Sequence, residues 1–180
     1  MKQSGWEIDG VEINEVARKI AENNTSSVIM NQADFFDSNQ KYDVITLWHS
    51  LEHLYDLSKC LNKISTSLNT NGIILIAVPN YRSFDADYFE QDWAAYDVPR
   101  HLYHFSMKAI NKLMEKYNFK LLHSKQLPFD SFYVSLLSEI SVRNKHNILK
   151  AFLVGWKSYW QGQKDVEKGS SILYVFKKKQ

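Results

Sequence analysis

An α/β fold built on a mostly parallel sheet follows from three features of this 180-residue sequence. Tyr42–Trp48 and Ile73–Val78 are strand-length runs of largely β-branched, aliphatic and aromatic residues, the pattern of strands covered on both faces. Between them Leu54, Leu57, Leu61, Ile64 and Leu68 recur at spacings of three and four, the period of a helix with one apolar stripe. Strand, helix and strand in that order make a right-handed crossover joining parallel strands. The third feature is composition: 44% apolar, 14% aromatic and 23% charged residues suit a packed core, and the length suits one domain at about 150 residues each.

The elements follow in order. Trp6–Ile13 reads as a short strand, and Asn14 caps a helix to about Asn24 with Val16, Ala17, Ile20 and Ala21 on one face. Ser27–Met30 is a second strand, ending near Asp34–Asp37. The Leu54–Leu68 helix is stopped by Asn69-Thr70-Asn71-Gly72, and Pro79 closes the next strand. Ser106 caps a helix carrying Ala109, Ile110, Leu113, Met114 and Tyr117, and Asn118 ends it in the left-handed region. Phe119–Ser124 is a further strand. Residues 128–160 read as helical, with Leu149, Phe152, Leu153, Trp156 and Trp160 on one stripe, and Ile172–Phe176 is a last strand.

Twenty-two Lys and Arg against 20 Asp and Glu leave +2, too little to imply a nucleic-acid partner. A lone thiol, Cys60, excludes an internal disulfide and multi-cysteine metal sites and points to a reducing compartment; its place on the apolar side of its helix predicts an inert buried group. Met1–Trp6 begins no leader-like apolar stretch and no 18-residue apolar run occurs, so a soluble cytoplasmic protein is expected. Residues 143–180 hold nine Lys or Arg and two acids, and are read as a solvated basic face rather than a membrane contact. The stripe at 149–160 is read as core or substrate lid, with an interfacial membrane role as the alternative.

Ligands of open parallel sheets sit beyond the carboxyl ends of the strands, so the residues just after each strand matter most. Glu12 closes the first strand, where a carboxylate accepts both ribose hydroxyls of a nucleotide-like cofactor or is simply an exposed turn charge. Asp34 can accept from an adenine amine beside the wall of Phe35, or serve as a turn residue. His49-Ser50-Leu51-Glu52-His53 follows the Tyr42 strand, and Pro79-Asn80-Tyr81 the next. Trp93–Ser106 mixes apolar walls with ionisable tips in a loop ahead of a helix.

The ordered series Gly10-Val11-Glu12-Ile13, Tyr42-Asp43-Val44-Ile45, Leu51-Glu52-His53-Leu54, Leu68 to Pro79-Asn80 and Pro99–Ser106 resembles class I S-adenosylmethionine-dependent methyltransferases, nearest the branch of quinone and sugar O-methyltransferases. The resemblance covers about residues 5–124. It implies a Rossmann-like sheet with helices on both faces and a methyl donor held by Glu12, Ile13, Asp34 and Phe35. Trp48, His49 and Ser50 would line its amino-acid end. A hydroxyl acceptor would need a base from His53, His101 or His104, with Arg100, Tyr81 and Trp93 as acceptor contacts. Capping or aromatic packing competes for the three histidines, and pairing with Asp97 for Arg100.

The family's glycine-rich loop lies roughly 20 residues ahead of the ribose carboxylate. Glu12 stands eleven residues from the start, and none of the six glycines forms a Gly-x-Gly. The expectation is an N-terminally shortened member lacking the first strand and its glycine loop: residues 1–128 an incomplete core, residues 129–180 a helical insertion with the strand that completes the domain. Weak cofactor binding, a homo-oligomer pairing exposed sheet edges, and a small-molecule acceptor are expected with it. The competing class is a non-catalytic binding or assembly module. His49-Ser50-Leu51-Glu52-His53 also has the H-x-x-E-H spacing of an inverted zinc-protease motif, which needs both histidines on one helix; with a strand ending just before His49, no metal ligand is assigned.

Overall fold

The computed structural model describes residues 4–142 and 147–179. The chain divides into two compact units, Met1–Gln40 and Lys41–Gln180.

In the first unit, β1 (Gly10–Val11) pairs in parallel with β2 (Ile29–Met30). The strand expected over Trp6–Ile13 is thus two residues long. At Gly10 a Cβ would stand 2.7 Å from Ile29 Cδ1, so the missing side chain lets the buried isoleucine close on the strand. Between them α1 (Glu15–Thr25) starts where expected, Asn14 accepting from the Ala17 amide at 3.0 Å. Val16 and Ile20 are exposed, and α1 buries no residue. The expected apolar face of α1 therefore has no core beneath it. A helix the sequence reading did not foresee, α2 (Gln32–Asp37), follows, capped by Asn31.

The second unit holds a four-stranded sheet in the order β3 (Tyr42–Trp48), β4 (Leu68–Pro79), β6 (Ser171–Lys178), β5 (Phe119–Gln126). β3 and β4 are parallel, with Trp48 opposite Ala77; β6 is antiparallel to both neighbours. Three strands thus run one way and one the other, the mostly parallel α/β sheet that was expected. Because β6 lies between β4 and β5, the last residues share a sheet with the body of the unit.

α3 (Leu57–Ser67) joins β3 to β4 and buries Cys60, Leu61 and Ile64, the face that the leucine periodicity marks. It starts a turn later than expected, since Asp56 caps it by accepting from the Lys59 amide at 2.8 Å. The Asn69–Gly72 stretch, expected as a stop, belongs to β4, and the register absorbs it by skipping between Tyr42 and Val44. α5 (Met107–Lys116) begins at the expected Ser106 cap, and Asn118 takes φ 66°.

α4 (Phe84–Phe89), α6 (Asp130–Leu137), a π-helical turn over Ser138–Val142 and α7 (Ile148–Lys164) make the remaining helical layer. Residues 143–146 of the expected helical stretch lie outside the described residues. The expected stripe of α7 needs correcting: Leu149, Phe152, Leu153, Trp156 and Trp160 are exposed. α7 buries Ala151, Val154, Gly155, Ser158 and Gly162 instead. Small residues let the backbones approach, and Gly155 lies against the Phe132 backbone of α6, which a larger face could not do. No helix among the described residues is long and apolar enough to cross a membrane.

One core cluster gathers Ala86, Phe89, Trp93, Ala95, Val134 and Val154. Burial of each large side chain contributes about 1.5–3 kcal/mol. At its centre Asp85 accepts from Trp93 Nε1 at 2.8 Å, Ser158 Oγ at 2.6 Å and Ser170 Oγ at 2.7 Å, tying α4 to α7 and to the residue ahead of β6.

Candidate active site

β3 delivers the chain to Trp48, 50% exposed, and His49 then turns through φ 45° while its amide donates to Ala77 O at 2.9 Å. A non-glycine residue in the left-handed region marks a place where the surroundings dictate the backbone. Ser50 Oγ donates back to Trp48 O at 2.8 Å. The His49 ring lies between two carboxylates, with Nε2 3.1 Å from Asp130 Oδ2 and Nδ1 3.5 Å from Glu52 Oε1. The hydrogen bond to Asp130, then the nearby Glu52 carboxylate, pushes its pKa up to about 9 against the opposing effect of burial. His49 is therefore an imidazolium at neutral pH.

Leu51–His53 is a single 3₁₀ turn. With His49 left-handed and the turn only three residues long, the continuous helix required by the zinc-protease reading does not exist. The turn buries Glu52 at 1% exposure, and among the described residues neither of its carboxylate oxygens meets a donor with hydrogen-bonding geometry.

The Pro99–Phe105 loop is fastened to both strand ends. The Leu102 amide donates to Glu52 O at 2.8 Å, behind β3; Tyr81 N donates to Phe105 O at 3.2 Å, and Asn80 bridges Phe105, behind β4. His53 Nδ1 lies 3.0 Å from Arg100 O and His101 Nδ1 2.8 Å from Ala95 O. A carbonyl only accepts, so each ring carries its proton on Nδ1, and Nε2 is left as a lone pair in the neutral form. The two rings meet edge to face at 4.7 Å. Glu52, His53 and His101 each offer one ligand atom within 4.8 Å of the others, so two imidazoles and a buried carboxylate also make a donor set that could hold a divalent cation. His104 is held the other way round, Nε2 lying 2.9 Å from Tyr96 O.

The structure thus brings His53 and His101 together, with His104 6.5 Å beyond His101. Arg100 is exposed and donates to Asp97 Oδ1 through Nε at 3.0 Å and Nη2 at 2.6 Å, the paired alternative. Tyr81 is half-buried beside the core cluster. Trp93, expected to touch the acceptor, is 2% exposed with its indole N–H spent on Asp85, so it packs the core. In the first unit, Glu12 follows β1 directly and its Oε1 accepts from the Asn14 amide at 2.8 Å. Ile13 is exposed. Asp34 sits in the first turn of α2, not in a loop, accepting from Asn31 Nδ2 at 2.7 Å; Phe35 is half-buried against Phe36.

Asp130 and Glu52 are the functional candidates that the sequence reading passed over. Asp130 lies 81 positions from its partner His49, and its one signal is an acid opening a helix after Pro128. Glu52 stood in view inside the Leu-Glu-His segment, but its burial has no local signature.

A family model described as a methyltransferase domain matches residues 1–124. No curated protein matches the sequence. Among solved structures, a SAM-dependent methyltransferase from Thermotoga maritima is similar at TM-score 0.61 and 16% identity, over 95% of this chain and 72% of that one. A SAM-dependent methyltransferase from Archaeoglobus fulgidus gives 0.59 and 21%, over 98% and 78%. Magnesium protoporphyrin IX methyltransferase from Synechocystis, with bound SAH, gives 0.60 and 11%, over 98% and 66%. At such identities the likeness is one of fold.

Proposed function

This chain belongs to the methyltransferase-domain family, and from that premise we propose that it transfers a methyl group from S-adenosylmethionine to a small hydroxylated or saccharide-like acceptor, as quinone and sugar O-methyltransferases do. The match over residues 1–124 carries the reading, because it takes in Glu12, the Leu51-Glu52-His53 turn and the Pro99–Ser106 loop. The SAH in the Synechocystis structure supports the choice of cofactor.

S-adenosylmethionine supplies an electrophilic methyl group, so the protein's work is to position the two reactants and manage a proton. Glu12 keeps lone pairs beyond the one bonded to Asn14, enough for ribose hydroxyls, and Asp34 beside Phe35 suits an adenine amine and ring face. Trp48, His49 and Ser50 would line the amino-acid end, where the His49 imidazolium suits a carboxylate.

A hydroxyl acceptor must lose its proton as it attacks. His53 and His101 each hold an Nε2 lone pair for that purpose, and the Glu52 carboxylate stabilises the imidazolium that forms. His104, protonated on Nε2, offers Nδ1 instead. The donors of Arg100 not spent on Asp97 can hold a carboxylate or phosphate of the acceptor, with Tyr81 as a neighbouring wall.

Radiolabelled methyl transfer, with calorimetric titration of S-adenosylmethionine, tests the reading. Without a Gly-x-Gly in this sequence, affinity weaker than micromolar is expected. His101→Gln should lower kcat by about 10²-fold or more, with cofactor affinity unchanged. A chain that neither binds the cofactor nor turns it over would favour the non-catalytic module.

A further inference from the structure

We propose that the outer face of α7 is an interfacial anchor that lays this protein on an anionic lipid surface. The helix divides into three stripes. Ala151, Val154, Gly155, Ser158 and Gly162 face the core. Ile148, Leu149, Phe152, Leu153, Trp156 and Trp160 form a contiguous outward arc, with the two tryptophans 47% and 48% exposed. Lys150, Lys157 and Lys164 follow at seven-residue intervals along the border of that arc.

The arc is ordered, not a scatter of apolar residues. Phe152 stacks on Trp156 at 6.2 Å and Trp156 meets Trp160 edge to face at 6.0 Å, with Phe132 of α6 behind Phe152 at 5.5 Å. Phe129, just ahead of α6, and Tyr133 within it are exposed as well. Single exposed apolar residues need no explanation, but a continuous large patch marks a contact surface.

Charge decides the occupant. α7 contains no Asp or Glu over its 17 residues. Lys157, its Nζ 4.7 Å above the Phe84 ring, and Lys164 are exposed on the border of the arc, whereas half-buried Lys150 pairs with the buried Glu139 at 3.8 Å, so Lys157 and Lys164 are the cations this border presents. Of the acids around the helix, Glu139 is buried against Lys150, Asp85 is buried against Ser158, Asp130 is paired with His49, and Asp165 and Glu167 follow the last turn. A second copy meeting this face across a two-fold axis would set Lys157 and Lys164 against their counterparts with no Asp or Glu of α7 to offset them. A lipid surface meets both stripes at once: Trp, Phe and Leu enter the headgroup boundary while the lysine row faces anionic headgroups. α7 is amphipathic rather than uniformly apolar and is not both long and apolar enough to cross a bilayer, which is the form of a helix lying in the interface.

Co-sedimentation of the full chain with vesicles of phosphatidylcholine plus phosphatidylserine, against phosphatidylcholine alone, tests the proposal. Binding to the anionic vesicles is expected, lost as salt rises. Trp156→Ser with Trp160→Ser should weaken it about tenfold or more, because both rings leave the interface. Lys157→Glu with Lys164→Glu should do so by a similar factor through charge alone. Circular dichroism establishes that each variant keeps its fold, as expected for outward-facing positions. Three outcomes overturn the proposal: no sedimentation of the parent chain, equal binding to both vesicle types, or a concentration-dependent dimer in ultracentrifugation that the tryptophan pair abolishes without any vesicle binding.

Discussion

Asp85 and Glu52 are both shut away from water, at 0% and 1% exposure, and both belong to short helical turns just after strands of one sheet. Their surroundings are opposite. Asp85 accepts three hydrogen bonds between 2.6 and 2.8 Å, from Trp93, Ser158 and Ser170. Glu52 accepts none from the described residues, and what surrounds it is the His49 imidazolium and the rings of His53 and His101. A buried charge whose lone pairs are all used holds elements together. One whose lone pairs are idle is held in place by the rest of the fold and is available to a proton, a cation or a substrate. The contrast separates the structural centre from the chemical one more sharply than burial does.

The largest expected effect lies at the satisfied centre. Asp85→Ala strands three donors at about 1–3 kcal/mol each, so urea unfolding should show a loss of about 3–5 kcal/mol. A loss below about 1 kcal/mol would remove Asp85 from the structural role. Next is the helix that delivers Ser158. At Gly155 a Cβ would stand 2.8 Å from Phe132 Cα and 3.0 Å from Ser131 O, both backbone atoms. Gly155→Ala should therefore cost about 1–3 kcal/mol in the same assay; a neutral result would mean α6 and α7 slide apart freely.

The third effect is a pH dependence at the Glu52 side. The two carboxylates hold the His49 pKa at about 9, above its ordinary value of 6.5. A raised pKa means its contribution is fully present below pH 6.5 and is lost as pH rises through about 9. The ring is 40% exposed, so solvent screening holds the contribution under about 1 kcal/mol. With a chelator present, the stability gap between the parent and His49→Gln should close as the pH is raised through that range. A gap that widens with pH would reverse the assignment. Smallest of all is the stability change of Glu52→Gln, within about 1 kcal/mol of the parent, since no hydrogen bond is lost with the charge. Methyl transfer should fall even so. Destabilisation on the scale of Asp85→Ala would erase the distinction between the two carboxylates.

Much of the frame was legible along the chain. The caps Asn14 and Ser106, the left-handed Asn118 and the Leu57–Ile64 stripe are local signals, fixed by hydrogen-bonding side chains and helical period within a few residues. The ordered segments from Glu12 to Ser106 were enough to suggest the family. The α7 stripe misled because periodicity locates two faces of a helix without saying which is inward. In α7 the small residues won, since Gly155 permits a helix approach that Trp156 would block.

The sequence by itself determined the alternation of strands and helices, their caps and the histidine-rich loop, because each depends on residues near one another in the chain. Only the tertiary structure decided which carboxylate became saturated and which stayed idle. Ser158 lies 73 residues from Asp85 and Asp130 lies 81 from His49, and pairings at such separations are set by how helices close over a sheet. Long-range closure turned Trp93 from an acceptor contact into core and placed His101 beside His53, because side chains distant in sequence acquire neighbours only when the layers pack.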